Sequence, residues 1–240
     1  MDIVAEKPGR KLTPDMAPGK LFPMAHQIPM RLLATPEAFD HPEFVYEPKL
    51  DGFRALAYVT GHRCELVSRN GHQFKAWPQL AEEIAHAVKA HSAVLDGEIC
   101  CLQSDGRPNF HAVMFRRAWP WFYAFDVLSI NGVDLCGLPL LERKRHLQAI
   151  MPKIGCRLLY LDHLAERGRD LFRVASERDI EGIVAKWARG TYHTDGRVTS
   201  WLKIKNPEYS QMRDRHELFS TRQHEDRRRG AAWRPELRLW

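Results

Sequence analysis

Cysteine is scarce in this chain of 240 residues, and long hydrophobic runs are absent. The five cysteines are an odd number and none are spaced as Cys-x-x-Cys, which argues against a disulfide framework and a structural zinc site. No apolar stretch approaches the ~20 residues of a membrane span. The N-terminus has no basic start followed by an apolar stretch, so it does not resemble a secretory signal. We therefore expect a cytoplasmic protein with reduced cysteines and no membrane partner.

A strong excess of charge of one sign is also lacking. The chain holds 36 Lys and Arg against 30 Asp and Glu, a formal net charge of +6. Hydrophobic residues make up 44% and charged residues 28%, close to the averages of globular proteins. This composition excludes a mostly disordered, collagen-like or coiled-coil chain. The moderate positive charge suits a polyanion such as nucleic acid without requiring one.

The distribution of proline and charge divides the chain into three segments. Residues 1–43 hold seven prolines, which fix φ and remove backbone donors, so we expect an irregular arm that is flexible over residues 1–20. The last 35 residues, 206–240, hold eight arginines and six acids, too few and too polar for a second domain of ordinary size. The sequence thus predicts one domain over 21–211 and a short basic tail over 212–240.

Hydrophobic periodicity predicts an α+β fold. Strands are expected at 44–47, 54–60, 64–68, 93–102, 121–128, 158–161, 183–186 and 201–204. Helices are expected at 77–91, 110–115, 139–151 and 164–177. Because the strands come in neighbouring groups with helices between them, we predict antiparallel sheets flanked by helices.

One lysine stands in an unusual position. Lys49 follows a predicted strand and is followed by Asp51-Gly52, a pair typical of tight turns. The ordinary pKa of lysine is ~10.4, so only about one side chain in a thousand is neutral near pH 7. A nucleophilic lysine therefore needs desolvation or nearby cations. Taken alone, this pattern also fits an ordinary hairpin, with Asp51 organising the turn.

Further charged residues lie inside apolar strands, where they are costly unless paired or bound to a ligand. They are Asp96, Glu98, Asp126, Glu181, Lys186, Lys203 and Lys205. Alternation along a strand places Lys203 and Lys205 on one face. Carboxylates bind Mg²⁺ and lysines bind phosphate oxygens, so this set predicts a metal and phosphate site. We expect Asp96 and Asp126 to be structural.

The order and spacing of these motifs resemble the nucleotidyltransferase (adenylation) domain of ATP-dependent DNA ligases. The superfamily of covalent nucleotidyltransferases also holds RNA ligases and mRNA-capping enzymes. The resemblance runs over about residues 21–211 and is greatest to bacterial ligases of the end-joining type. It implies an ATP-grasp-like fold, ATP and Mg²⁺ (or Mn²⁺) as cofactors, and nicked duplex DNA in the bacterial nucleoid as substrate.

For the nucleotide, the resemblance implies five roles. Lys49 takes AMP from ATP as a phosphoramidate. Glu47 lies near the adenine amino group, and Phe125 stacks on the adenine ring. Glu98 contacts the ribose or a metal, and Arg54 contacts the ribose or the nicked strand.

For the phosphates and the DNA, the resemblance implies five more roles. Glu181 binds the catalytic metal, and Lys203 and Lys205 hold the α-phosphate. Arg69 is expected on the 5′-phosphate of the DNA. Lys186 is the last residue of the family's fourth motif, which spans residues 181–186 here, and it is expected at the nucleotide.

The chain departs from the family pattern after the fifth motif, which spans residues 201–205 here. Ligases of the family normally carry an OB-fold there, a β-barrel that binds nucleic acid, and we expect none in this chain. End-joining or repair proteins would then supply a DNA clamp. Three alternatives stay open: an RNA ligase or other polynucleotide adenylyltransferase, a split or truncated ligase that needs a partner OB domain, and an idle nucleotide- or DNA-binding module.

Overall fold

The computed structural model describes residues 27–153 and 155–211, which form two β-sheets with helices packed against them. The predicted arm, 1–20, and tail, 212–240, lie outside these residues. The strands are β1 (Leu33–Ala34), β2 (Phe44–Pro48), β3 (Phe53–Thr60), β4 (Arg63–Ser68), β5 (Ser92–Cys100), β6 (Trp121–Ile130), β7 (Val133–Asp134), β8 (Leu158–Tyr160), β9 (Leu164–Ala165), β10 (Gly182–Trp187) and β11 (Trp201–Lys205). The helices are α1 (Pro78–Ala87), α2 (Phe110–Met114), α3 (Leu140–Ile150) and α4 (Gly168–Glu177).

The two sheets are mixed rather than purely antiparallel. The first sheet has the strand order β1-β11-β10-β2-β9, and the second has the order β4-β3-β5-β6-β7 with β8 also paired to β6. The pairings β1–β11 and β6–β8 are parallel, whereas the other pairings of the described strands are antiparallel. The prediction of antiparallel sheets is therefore wrong for these two pairs. A chain that returns through a helix, as α3 does between β6 and β8, can run parallel to its earlier strand.

Three apolar clusters hold the layers together. The first lies under the second sheet, where α1, α2 and α3 cover its outer face. The second lies between the sheets and includes Val45 and Val184 from the first sheet and Leu56 and Phe125 from the second. The third packs α4 on the outer face of the first sheet. Because the middle cluster joins the inner faces of both sheets, any cleft between them is walled by strands on both sides.

Most predicted elements form close to their expected bounds, but the helix expected at 164–177 does not. Residues 164–165 pair with β2 as β9, and α4 begins only at Gly168. Glu166 takes a positive φ of 65°, which breaks a helix. A Cβ at Gly168 would lie 2.2 Å from the carbonyl oxygen of Phe39, so glycine allows α4 to dock closely. The segment predicted as one helix thus consists of a short strand, β9, followed by the helix α4.

The acids expected to be structural are paired. Asp126 on β6 accepts two hydrogen bonds of 2.8 Å from the guanidinium of Arg143 on α3, and both side chains are fully buried. Asp96 on β5 pairs with Arg54 on β3. These pairs satisfy charges that would otherwise destabilise the inner strands. Within residues 27–153 and 155–211, no helix is both long and apolar enough to cross a membrane.

Candidate active site

A cleft with an empty volume of about 440 Å³ opens between the two sheets. Six predicted site residues line it: Glu47, Lys49, Arg54, Glu98, Phe125 and Lys186. The remaining wall is largely apolar: Leu32, Pro48, Leu50, Leu161, Val184 and Trp201. The cleft therefore combines an apolar enclosure with a few converging charges.

A wider groove adjoins the cleft and shares Lys49, Arg54 and Glu98 with it. The other four predicted site residues line this groove: Arg69, Glu181, Lys203 and Lys205. The structure thus brings all ten predicted residues to two adjoining depressions, with Lys49 where they meet. The prediction that Lys203 and Lys205 share a face agrees with their common place in the groove.

Lys49 is held by the first sheet. It directly follows β2, and its backbone N–H donates to the carbonyl of Gly182 on β10 at 2.9 Å. Its Nζ lies 2.6 Å from a carboxylate oxygen of Glu181, whose side chain is 4% exposed. Gly182 has a φ of 141°, and a Cβ there would lie 2.0 Å from the carbonyl oxygen of Ile204. Only glycine permits this close packing of β10 on β11, which fixes Glu181 beside Lys49.

A buried cluster of charges lies at the inner end of the cleft. The carboxylate of Glu47 contacts Nζ of Lys144 at 2.7 Å and Nζ of Lys186 at 2.6 Å. Burial alone would raise the pKa of Glu47, but the two ammonium groups outweigh it and hold that pKa below its ordinary value. Burial lowers the pKa of Lys186 to about 8. The Nζ of Lys186 also lies 4.3 Å and 4.0 Å from the ring centres of Phe125 and Trp201.

Arg54 lines the cleft, but protein atoms already accept most of its hydrogen bonds. Its Nε and Nη2 donate to the two carboxylate oxygens of Asp96 at 3.0 and 2.6 Å, and its Nη1 donates to the carbonyl of Met30 at 2.6 Å. The hydroxyl of Tyr192 donates to the same carboxylate at 2.7 Å. This network fastens residues at the start of the described chain to the cleft wall.

Glu98 lies where the cleft meets the groove, and the charges of two further carboxylates, Glu181 and Asp51, act on it. Burial, together with the charges of Glu181 and Asp51, raises the pKa of Glu98 to about 8 against the opposing effect of Lys49 and Arg54. A cation between these carboxylates would relieve their repulsion. No three His, Cys, Asp or Glu side chains in the described part of the chain form a metal cage. Mg²⁺ usually takes one or two carboxylates together with substrate phosphates, so this donor set fits it.

The raised pKa of Glu98 predicts how stability depends on pH. Between the ordinary value of 4.5 and about 8, the folded protein keeps a proton that the unfolded chain has lost. The contribution of Glu98 therefore lowers the free energy of unfolding as pH rises through this range. We expect Glu98→Gln to raise the Tm at pH 8 more than at pH 5, measured by thermal denaturation. Glu82→Gln on the exposed face of α1 is the control; equal shifts at both pH values for Glu98→Gln would contradict the prediction.

The basic side of the groove comes from β11. Burial lowers the pKa of Lys203, and the neighbouring cations Lys205 and Lys49 lower it further. Arg69, which follows the β3–β4 hairpin, adds a further positive charge to the groove. Such a concentration of cations attracts phosphate groups.

Sequence reasoning missed several residues that build the site. Lys144 pairs with Glu47, Trp201 lines the cleft, and the hydroxyl of Tyr209 donates to Asp51 at 3.0 Å. A signal existed for Lys144, since it shares the helix face of the buried Leu140 and Leu147, where an ordinary surface lysine is not expected. Tyr209 gave no comparable signal because its partner lies 158 residues away.

The fold and the site define the nucleotidyltransferase class that the motifs predicted, with two sheets enclosing a cleft and a lysine at its mouth. Residues 24–205 match the model of the family described as "ATP dependent DNA ligase domain", and the chain belongs to this family. The comparisons do not favour the alternatives of an RNA ligase or an idle module.

Two bacterial proteins show the same similarity over most of this chain. The chain is 30% identical over 199 residues to the multifunctional non-homologous end joining protein LigD of Pseudomonas aeruginosa, which covers 78% of this chain and 23% of that protein. It is 30% identical over 195 residues to the SPbeta prophage-derived DNA ligase-like protein LigB of Bacillus subtilis, covering 77% of this chain and 69% of that protein. The chain thus spans about a quarter of the length of LigD.

Solved structures agree with this assignment. Mycobacterial DNA ligase D complexed with ATP and MES superposes with a TM-score of 0.67 at 28% identity, covering 77% of this chain and 62% of that one. The ligase domain of Mycobacterium tuberculosis LigD gives a TM-score of 0.62 at 29% identity, covering 74% and 59%. The predicted fold class is confirmed, with the correction that the sheets are mixed.

Proposed function

We propose that this chain carries out the chemistry of an ATP-dependent DNA ligase, forming a lysyl-AMP intermediate and sealing 5′-phosphate/3′-hydroxyl nicks in DNA during repair. The observation that carries the proposal is the place of Lys49 between a largely apolar cleft and a groove lined with cations. A nucleophile at this junction can reach the α-phosphate of a nucleotide whose base occupies the cleft and can present the adduct to a strand in the groove.

The cleft suits adenine. Phe125 offers a ring face for stacking, and the carboxylate of Glu47 can accept a hydrogen bond from the adenine amino group. We expect Lys186 to donate to a ring nitrogen. Arg54 is bound to Asp96 and Met30, and because it lines both the cleft and the groove, we expect it to contact the ribose or the nicked strand.

In the first step, the neutral amine of Lys49 attacks the α-phosphorus. The P–N bond forms, the bond from phosphorus to the pyrophosphate oxygen breaks, and the amine loses its proton. Lys203 and Lys205 stabilise the charge that develops on the phosphate oxygens. Glu98 and Glu181 would hold Mg²⁺ (or Mn²⁺), which when bound neutralises phosphate charge.

In the later steps, the groove takes the DNA. Arg69 lines the groove, where we expect it to bind the 5′-phosphate. This phosphate accepts AMP from Lys49, and a 3′-hydroxyl then attacks the activated phosphate and displaces AMP. We propose residues 21–211 as the adenylation domain and the bacterial nucleoid in the cytoplasm as its location. End-joining or repair proteins that clamp the duplex are its proposed partners.

The proposal is tested by incubating the full chain with ATP labelled in the α-phosphate and Mg²⁺, and then with nicked duplex DNA. We expect an acid-labile label on the protein, as a phosphoramidate requires, followed by transfer of the label to DNA and by sealing. A duplex with an RNA strand at the nick is the matched control and is expected to seal more slowly. Absence of the protein adduct would overturn the proposed function, and equal sealing of RNA would overturn the choice of DNA.

A further inference from the structure

A lysine outside every predicted motif lies directly behind the cleft. Lys144 projects from α3, is 1% exposed, and forms none of the cleft lining itself. Burying an ammonium group is costly unless it is fully paired. The contacts that compensate this cost indicate what Lys144 does.

Three contacts of this ammonium are with residues of the cleft wall, and a fourth is with the ring of Tyr160, whose centre lies 4.8 Å away. Its Nζ lies 2.7 Å from Oε1 of Glu47, and it donates to the carbonyls of Leu161 at 3.1 Å and Phe125 at 3.3 Å. The two carbonyls accept hydrogen bonds, and the carboxylate of Glu47 balances the charge as an ion pair. Lys144 thus links β2, β6 and the residue after β8, all of which contribute to the wall of the cleft.

The carboxylate of Glu47 is shared between two lysines. Lys144 contacts Oε1 and Lys186 contacts Oε2, so neither oxygen can rotate away without losing a cation. A carboxylate has about four lone-pair sites, so two ammonium contacts leave it able to accept another hydrogen bond. The charges that influence Lys186 are Glu47 on β2, Lys144 on α3 and Asp126 on β6.

We infer that Lys144 is a positioning residue for base selection: from behind the cleft it fixes Glu47 as an acceptor for a purine that carries an amino group at its six position. The inference rests on the proposed function and deepens it. A six-amino purine donates to the carboxylate, whereas a six-oxo purine presents an acceptor that the carboxylate repels. Without Lys144, Glu47 loses one of its two restraints, and its discrimination between the two bases weakens.

The test compares ATP with inosine triphosphate as sources of the protein adduct in the full chain. Both nucleotides have the same ribose and phosphates, so the ratio of their adduct yields per unit time depends on the base. We expect Lys144→Met to lower the preference for ATP about tenfold, the size of effect expected from one hydrogen bond to a charged group. The matched control is Lys153→Met at an exposed position, which should leave the ratio unchanged.

A double-mutant cycle of Lys144 and Glu47 distinguishes the positioning of Glu47 from a general loss of structure. If Lys144 acts through Glu47, Lys144→Met should change the ratio little once Glu47→Gln is present, because the two effects are not additive. Removing one member of a buried ion pair is strongly destabilising. Lys144→Arg, which keeps the charge but not the three-way geometry of an ammonium, is therefore measured beside it.

The outcomes are distinct. A reduced ATP preference in Lys144→Met or Lys144→Arg that vanishes in the Glu47→Gln background supports the inference. An unchanged ratio in folded variants overturns it and leaves Lys144 a structural residue. Absence of any adduct from the unmodified chain overturns the proposed function, and the inference with it.

Discussion

Replacing Lys49 by alanine is expected to abolish the covalent AMP adduct. No other described side chain combines a primary amine with a place at the junction of cleft and groove and a hydrogen bond to Glu181. Without the amine, no P–N bond can form, and the label from ATP should stay in solution. The measurement is the acid-labile label on the protein after incubation with ATP and Mg²⁺.

Lys49→Arg is also expected to form no AMP adduct, because a guanidinium stays protonated at any useful pH and cannot act as the nucleophile. This variant keeps the positive charge beside Glu181, so its failure would separate loss of nucleophile from loss of the ion pair. Lys153→Ala at an exposed position serves as the control and should form the adduct normally. An adduct that persists in Lys49→Ala would mean that another residue is the nucleophile.

Local sequence patterns were sufficient to predict the elements that carry the site. Alternation in β11 places Lys203 and Lys205 together, and the turn signal after Lys49 sets it at the end of β2. Periodicity also located α1 and α3 within a few residues. These features depend on neighbours in sequence, and the period of a strand or helix determines them.

Such local patterns could not predict contacts between segments that are distant in sequence. The parallel pairing of β1 with β11 joins residues about 170 positions apart, and no local signal encodes it. The paired lysines on Glu47 come from β10 and α3, so the sequence could not indicate that the carboxylate is doubly bound. Arg54 was expected at the nucleotide, whereas its strongest contacts are with Asp96 and Met30.

Glu181→Gln is expected to lower the rate of nick sealing by ~10²–10³, the usual cost of removing one preorganised charged group. The substitution keeps the size of the side chain but removes the charge of a buried ion pair, so the Tm is expected to fall, and sealing is compared per folded molecule. The control is Glu177→Gln on exposed α4, which should seal normally. Unfolding of Glu181→Gln with full activity per folded molecule would identify a structural residue instead.

The two alternative roles of Glu181 predict that its substitution impairs different steps of the reaction. If it serves only to orient Lys49 through their 2.6 Å contact, its loss should impair adduct formation but not the sealing of DNA that is already adenylated, because that step needs no attack by Lys49. If it binds the metal at the phosphate, both reactions should be slowed. The charge of Glu181 helps to raise the pKa of Glu98, and a cation bound beside both carboxylates would relieve this repulsion, which favours the metal role.

We therefore expect Glu181→Gln to be slow with ATP and slow with pre-adenylated nicked DNA, and its residual activity to need more Mg²⁺ than the unmodified chain. Sealing of pre-adenylated DNA at the normal rate would assign Glu181 to Lys49 alone. Lys49→Ala provides the matched comparison, because it should seal pre-adenylated DNA while forming no adduct with ATP. The pair of variants thus distinguishes a residue that acts on the nucleophile from one that acts on the phosphate throughout the reaction.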